Sequence, residues 1–98
     1  MRIDSNQKTF IYNYWHNQNA DNQVYLFGSR ADNDKKGGDL DILIVSEKKI
    51  NHVVLYKMKM EFCLKFGNQK IDVVNLTNDE NSAFKDHLLS YAKKIINE

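Results

Sequence analysis

Two aspartates flank a single leucine in Asp39-Leu40-Asp41, and the run that follows, Ile42-Leu43-Ile44-Val45, is entirely apolar. Side chains on a strand alternate between faces, so Asp39 and Asp41 project the same way with alpha carbons about 6 to 7 Å apart. Two charges at the start of a strand buried on at least one face need compensation, and shared hard cations supply it. Upstream, the strand-like Val24-Tyr25-Leu26-Phe27 ends in Gly28-Ser29, with nine residues between it and Asp39. A glycine there lets a phosphate approach the backbone, and the serine adds a hydroxyl and an amide. A third acid, Asp72, interrupts the apolar Ile71-Asp72-Val73-Val74. With that segment beside the aspartate-pair strand, three carboxylates can gather around two metal ions, the arrangement of two-metal phosphoryl transfer on a nucleoside triphosphate. Magnesium suits such an all-oxygen set because it keeps water and phosphate oxygens in its shell.

The elements that must position these residues are legible in outline. Asp4 or Ser5 can cap a first helix with Phe10, Ile11, Tyr14 and Trp15 on one side, ending in the polar stretch 17–22. A strand over 23–27 follows, then a charged loop from Arg30 to Gly38 closed by Gly37-Gly38, then a strand over 40–45. Between Asn51 and Phe66 the residues Val53, Tyr56, Met60, Cys63 and Leu64 keep helical spacing, and Gly67 stands where a C-terminal cap belongs. A third strand covers 70–75. Thr77 with Glu80 reads as a capping box for a last helix whose Phe84, Leu88, Ala92 and Ile95 form a buried stripe. This order predicts an α+β fold, a small mixed β-sheet flanked by helices, over a single domain spanning 1–98.

Composition narrows the function classes. Lys plus Arg number 14 against 13 Asp plus Glu, a net charge of +1, so no global field gathers nucleic acid and no direct nucleic-acid binding is expected. The lone Cys63 excludes an internal disulfide and a thiolate zinc site and fits a reducing cytoplasm. His16, His52 and His87 lack metal-ligand spacing. No apolar stretch is long enough to cross a bilayer, and a soluble cytoplasmic protein is expected. The segment 32–37 begins like an EF-hand loop, but Lys36 occupies a ligand position and Leu43 stands where the bidentate glutamate belongs. Glycine-rich dinucleotide and Walker-type elements are lacking.

Gly28-Ser29, the nine-residue interval, Asp39-Leu40-Asp41 and then Asp72 together resemble the nucleotidyltransferase superfamily that includes DNA polymerase beta. More narrowly, the chain is similar to the minimal nucleotidyltransferase (MNT-domain) proteins of bacteria and archaea, over Leu26-Phe27-Gly28-Ser29-Arg30-Ala31, the helix ending at Gly67 and Lys70-Ile71-Asp72-Val73-Val74. The resemblance implies a palm-like fold, with Asp39, Asp41 and Asp72 holding two Mg2+ ions and serving catalysis. It also implies that Gly28 and Ser29 hold the triphosphate of ATP, and the adjacent Arg30 is a further candidate contact, against the plain reading of a solvated loop charge. Where many relatives have a second arginine and a glycine after Arg30-Ala31, this chain has Asp32-Asn33, and it has Gly38 where many have serine. Minimal family members typically neutralise a small helical HEPN-domain toxin by adenylylating a tyrosine on it. The resemblance therefore implies an MntA-type antitoxin that transfers AMP to a partner. Two alternatives remain: a binding module that neutralises by occlusion, and a nucleotidyltransferase acting on a small molecule, for instance across a homodimer.

Overall fold

The computed structural model describes residues 3–31 and 39–96. The loop positions 32–38, including Asp32, Asn33, Lys35, Lys36 and Gly38, lie outside the described residues.

Helix α1 spans Ser5–Gln18. Asp4 caps it by accepting from the Asn6 amide at 2.7 Å. Ile11 and Trp15, one turn apart, are fully buried, and the half-buried Phe10 and Tyr14 pack beside them, as the spacing predicts. The helix ends as the Asn19 amide bonds Trp15 O at 3.2 Å. The buried Asn22 side chain donates to that same carbonyl at 2.9 Å, which leads the chain into the sheet.

Strands β1 (Gln23–Phe27), β2 (Leu40–Ser46) and β3 (Ile71–Thr77) occupy the expected segments. The sheet order is β3-β2-β1-β4, with β2 antiparallel to β1 and parallel to β3. The central β2 is apolar on both faces because both are covered. Leu40, Ile42 and Ile44 join Val24, Leu26 and Ile71 against α1 and α2, whereas Leu43 and Val45 join Leu76 against α3. This mixed sheet with helices on both sides bears out the α+β expectation. Among the described residues, no helix is long and apolar enough to cross a membrane.

Helix α2 (His52–Phe66) is capped by Asn51 and terminated by Gly67 at φ +96°. Of the residues with helical spacing, only Cys63 lies on its inward side. Met58 and Phe62 are buried, with Val54, Leu55, Cys63 and Phe66 beside them. Val53, Tyr56, Met60 and Leu64 face outward. The helix is apolar around most of its circumference, so period alone offers two stripes, and contact with the sheet and α1 selects one. Phe10 seals that contact edge-to-face against Phe62 and Phe66, at 5.8 and 5.7 Å between ring centroids. At the far end of β2, buried Asn75 donates to Ile44 O and Ser46 Oγ, both at 3.0 Å, and accepts from the Ile50 amide at 2.7 Å. It thereby fixes the loop that enters α2.

The C-terminal segment corrects two expectations. Thr77 ends the ladder opposite Ser46, its hydroxyl donates to Asp79 Oδ1 at 2.7 Å, and no helix begins there. Ser82 does so instead, accepting from the Lys85 amide at 3.1 Å, and α3 spans Ala83–Tyr91. Phe84 is exposed, and Leu88 is the buried residue of this helix. Beyond Tyr91 the chain extends into a short β4 (Lys93–Lys94) on the edge of β1. Ile95 is buried, but by this extended segment, whose amide donates to Val24 O at 2.8 Å, and it joins the core on the α1 and α2 side.

Candidate active site

Strand register brings the singled-out acids to one end of the sheet. In the parallel pair β2 and β3, Leu40 lies opposite Ile71 and Asp41 opposite Asp72. Register partners on parallel strands share a face. Leu40 and Ile71 therefore enter the core while Asp41 and Asp72 emerge together on the opposite face, at the strands' N-terminal ends. Asp39 precedes Leu40 and shares the phase of Asp41. The antiparallel β1 delivers its C-terminus to the same place, with Phe27 opposite Asp41.

Gly28, the next residue, has φ +69° and opens a single 3-10 turn, Gly28–Ala31. A β-carbon built there would run into Asp41 Oδ2 and lie 3.2 Å from its Cγ. Gly28 is thus required twice, for a left-handed backbone and for the space that the Asp41 carboxylate fills. Ser29 and the half-buried Arg30 follow in the turn, and Ala31 anchors it in the interior.

The electrostatics are those of crowded like charges. Partial burial raises the Asp41 carboxyl above the ordinary aspartate range, and Asp72 raises it further by charge and by hydrogen-bond contact, with a smaller push from Asp39. Lys70 opposes the shift. Its Nζ lies 3.3 Å from Asp39 Oδ2. Bonding to Asp39, and then the nearby charges of Asp72 and Asp41, raise the lysine in turn. The sequence alone gives Lys70 no role beyond opening the expected third strand. The signal that could have found it is the strand alternation that puts Lys70 and Asp72, two residues apart, in the same phase.

Asp41 and Asp72 thus meet while Asp39 leans to Lys70. Among the described residues, no three His, Cys, Asp or Glu side chains are already gathered as a metal-ligand group. The donor chemistry nonetheless fits a hard divalent cation. Asp39, Asp41 and Asp72 offer only oxygen, their mutual repulsion is relieved by a cation, and the absent side chain at Gly28 leaves Asp41 Oδ2 its space.

A family model described as Polymerase beta, Nucleotidyltransferase matches residues 10–98. No curated protein matches the chain. Among solved structures, similarity extends to a complex of tri-AMPylated Shewanella oneidensis HEPN toxin with MNT antitoxin, at 13% identity and TM-score 0.68, covering 98% of this chain and 74% of that one. A toxin-antitoxin structure with AMP-PNP is similar at 14% identity and TM-score 0.70, covering 93% and 73%. A toxin-antitoxin MntA-HpeT variant has 14% identity and TM-score 0.70, covering 98% and 74%. At such identities these likenesses speak for the fold.

Proposed function

Since this chain belongs to the polymerase beta nucleotidyltransferase family, we propose that it is a magnesium-dependent nucleotidyltransferase that transfers AMP from ATP to an acceptor hydroxyl. The supporting observation is the register that places Asp41 beside Asp72, against Gly28, with Asp39 one alternation away. Asp39 and Asp41 would hold two Mg2+ ions, and Asp72 would complete the site. Bound there, the ions supply Lewis acidity at the reacting phosphate and neutralise the pyrophosphate leaving group. Gly28, Ser29 and Arg30 orient the triphosphate so that its α-phosphorus faces the acceptor. The acceptor oxygen forms a bond to that phosphorus, the bond to the bridging oxygen breaks, and pyrophosphate leaves. Asp72 accepts the hydroxyl proton.

The acceptor belongs to a partner, in this reading a tyrosine on a small helical HEPN-type toxin, which makes the chain the antitoxin of a cytoplasmic pair. Support comes from the tri-AMPylated toxin in one similar structure and the AMP-PNP in another. The outward row Val53, Tyr56, Met60 and Leu64 favours a second reading, neutralisation by occlusion, because it offers a protein partner apolar surface away from the acids. One experiment separates the two. ATP labelled at the α or γ phosphate is incubated with the protein, Mg2+ and the candidate toxin, with the Asp39→Asn, Asp41→Asn double variant as control. Aspartate-dependent α label on the toxin supports adenylyl transfer. Silencing of the toxin with neither label transferred, and undiminished in the double variant, supports occlusion.

A further inference from the structure

We propose that Lys70 is the resident counter-ion of the acidic site: it holds Asp39 before metal arrives, yields it to the incoming cation, and then turns its ammonium to the triphosphate. The inference rests on the reading of Asp39, Asp41 and Asp72 as metal ligands.

Backbone geometry fixes the pairing. The Leu40 amide donates to the Lys70 carbonyl at 3.2 Å, immediately before the Leu40–Ile71 register pair. Asp39 and Lys70 therefore leave their strands side by side, on the face where Asp41 and Asp72 emerge, and their side chains meet at 3.3 Å. The bond is made to be exchanged. The Lys70 and Asp39 side chains are 70% and 45% exposed, and an ion pair so open to water is weak. A divalent cation held by several carboxylates outcompetes it. Lysine also carries its charge on a flexible four-carbon stem, so the ammonium can leave Asp39 without moving the backbone. Once Asp39 turns to the metal, the freed ammonium can donate charge-assisted hydrogen bonds to a triphosphate bound at the same site.

A surface ion pair that merely supports the fold would weaken every ligand alike when broken. A counter-ion displaced by metal gives effects of opposite sign, and calorimetric titration reads both. Without nucleotide, K70Q should bind Mn2+ about twofold to fivefold more tightly than wild type, because the competitor for Asp39 is gone. In saturating Mg2+, the same variant should bind a non-hydrolysable ATP analogue several-fold more weakly. K70R, which keeps the charge, should follow wild type in both titrations. Asp41→Asn serves as the control that loses Mn2+ binding. If that control behaves as expected but K70Q binds Mn2+ no more tightly than wild type, or binds the analogue equally well, the role of Lys70 is overturned and the metal site stands. If wild type binds no Mn2+, or Asp41→Asn binds it unchanged, the metal-site reading fails and takes this inference with it.

Discussion

Gly28 and Asp41 are fitted to one another: the glycine takes φ +69°, and the carboxylate fills the space its side chain would need. Gly28→Ala therefore meets two penalties. The left-handed backbone costs an L-residue about 1 to 2 kcal/mol, and the new methyl group must displace Asp41. Nucleotidyl transfer should fall at least tenfold, together with a lower urea midpoint. Gly67 provides the comparison, since it too has positive φ but nothing lies within 4 Å of a β-carbon there. Gly67→Ala should lose stability and keep transfer. Equal transfer by Gly28→Ala and wild type would refute the fitted pair.

Much of this site was legible because strand period and register act on the same residues. Asp39, Asp41 and Asp72 declare themselves as charges in apolar strands, and alternation alone gives Asp39 and Asp41 a common face. Whether Asp72 joins them depends on which strands pair and in what register, which only the fold fixes. Lys70 escaped because a lysine before a strand needs no explanation until its neighbour across the sheet is known. The last helix misled for a related reason. Thr77 and Glu80 have capping-box spacing, but the Thr77 hydroxyl turns to Asp79 and the helix starts only after Ser82, so the local signal points to the wrong turn. Strand β4 carries no β signal in Lys93-Lys94; the unpaired edge of β1 recruits it, and Ile95 supplies the burial.

Helix α2 gives a test of which apolar stripe bears the core. Phe62 is fully buried and Leu64, two residues on, is 83% exposed. Phe62→Ala should destabilise by about 3 to 5 kcal/mol, the cost of a large core truncation. Leu64→Ser should lie within about 0.5 kcal/mol of wild type for the isolated protein. Urea denaturation of the two variants measures both, and similar losses would mean the outward row is covered within the folded chain. Should Leu64→Ser prove neutral alone but weaken binding to the candidate toxin, the outward row is a partner surface.

Asn75 is expected to behave as a structural residue remote from chemistry. Its side chain serves Ile44 O, Ser46 Oγ and the Ile50 amide, and its own carbonyl accepts from Lys49 Nζ at 2.6 Å. Asn75→Ala leaves the Ile50 amide and the Ser46 hydroxyl without this partner, at roughly 2 to 4 kcal/mol in all. The variant should unfold at clearly lower urea while retaining transfer per folded molecule. A midpoint unchanged from wild type would mean that water replaces the amide freely.

Asp41 should make the metal-free protein less stable as pH rises. Burial and the neighbouring Asp72 raise its carboxyl in the folded state, whereas the unfolded chain ionises it near the ordinary value of about 4. Below that value both states hold the proton and the group contributes nothing to the pH slope. Between the unfolded and the raised folded value, the folded protein binds more protons than the unfolded one, so stability is lost as pH rises through that window. Above it the cost is constant, and a cation that satisfies the carboxylate removes it. Asp41→Asn cannot ionise, so in EDTA it should be more stable than wild type at neutral pH, with the difference shrinking toward pH 4. Adding Mg2+ should raise the thermal midpoint of wild type and leave the variant unmoved. Urea denaturation from pH 4 to 8 with chelator, and melting curves with and without Mg2+, measure the two effects. A stability difference that does not vary with pH would assign the change to packing at Asp41 rather than to its charge.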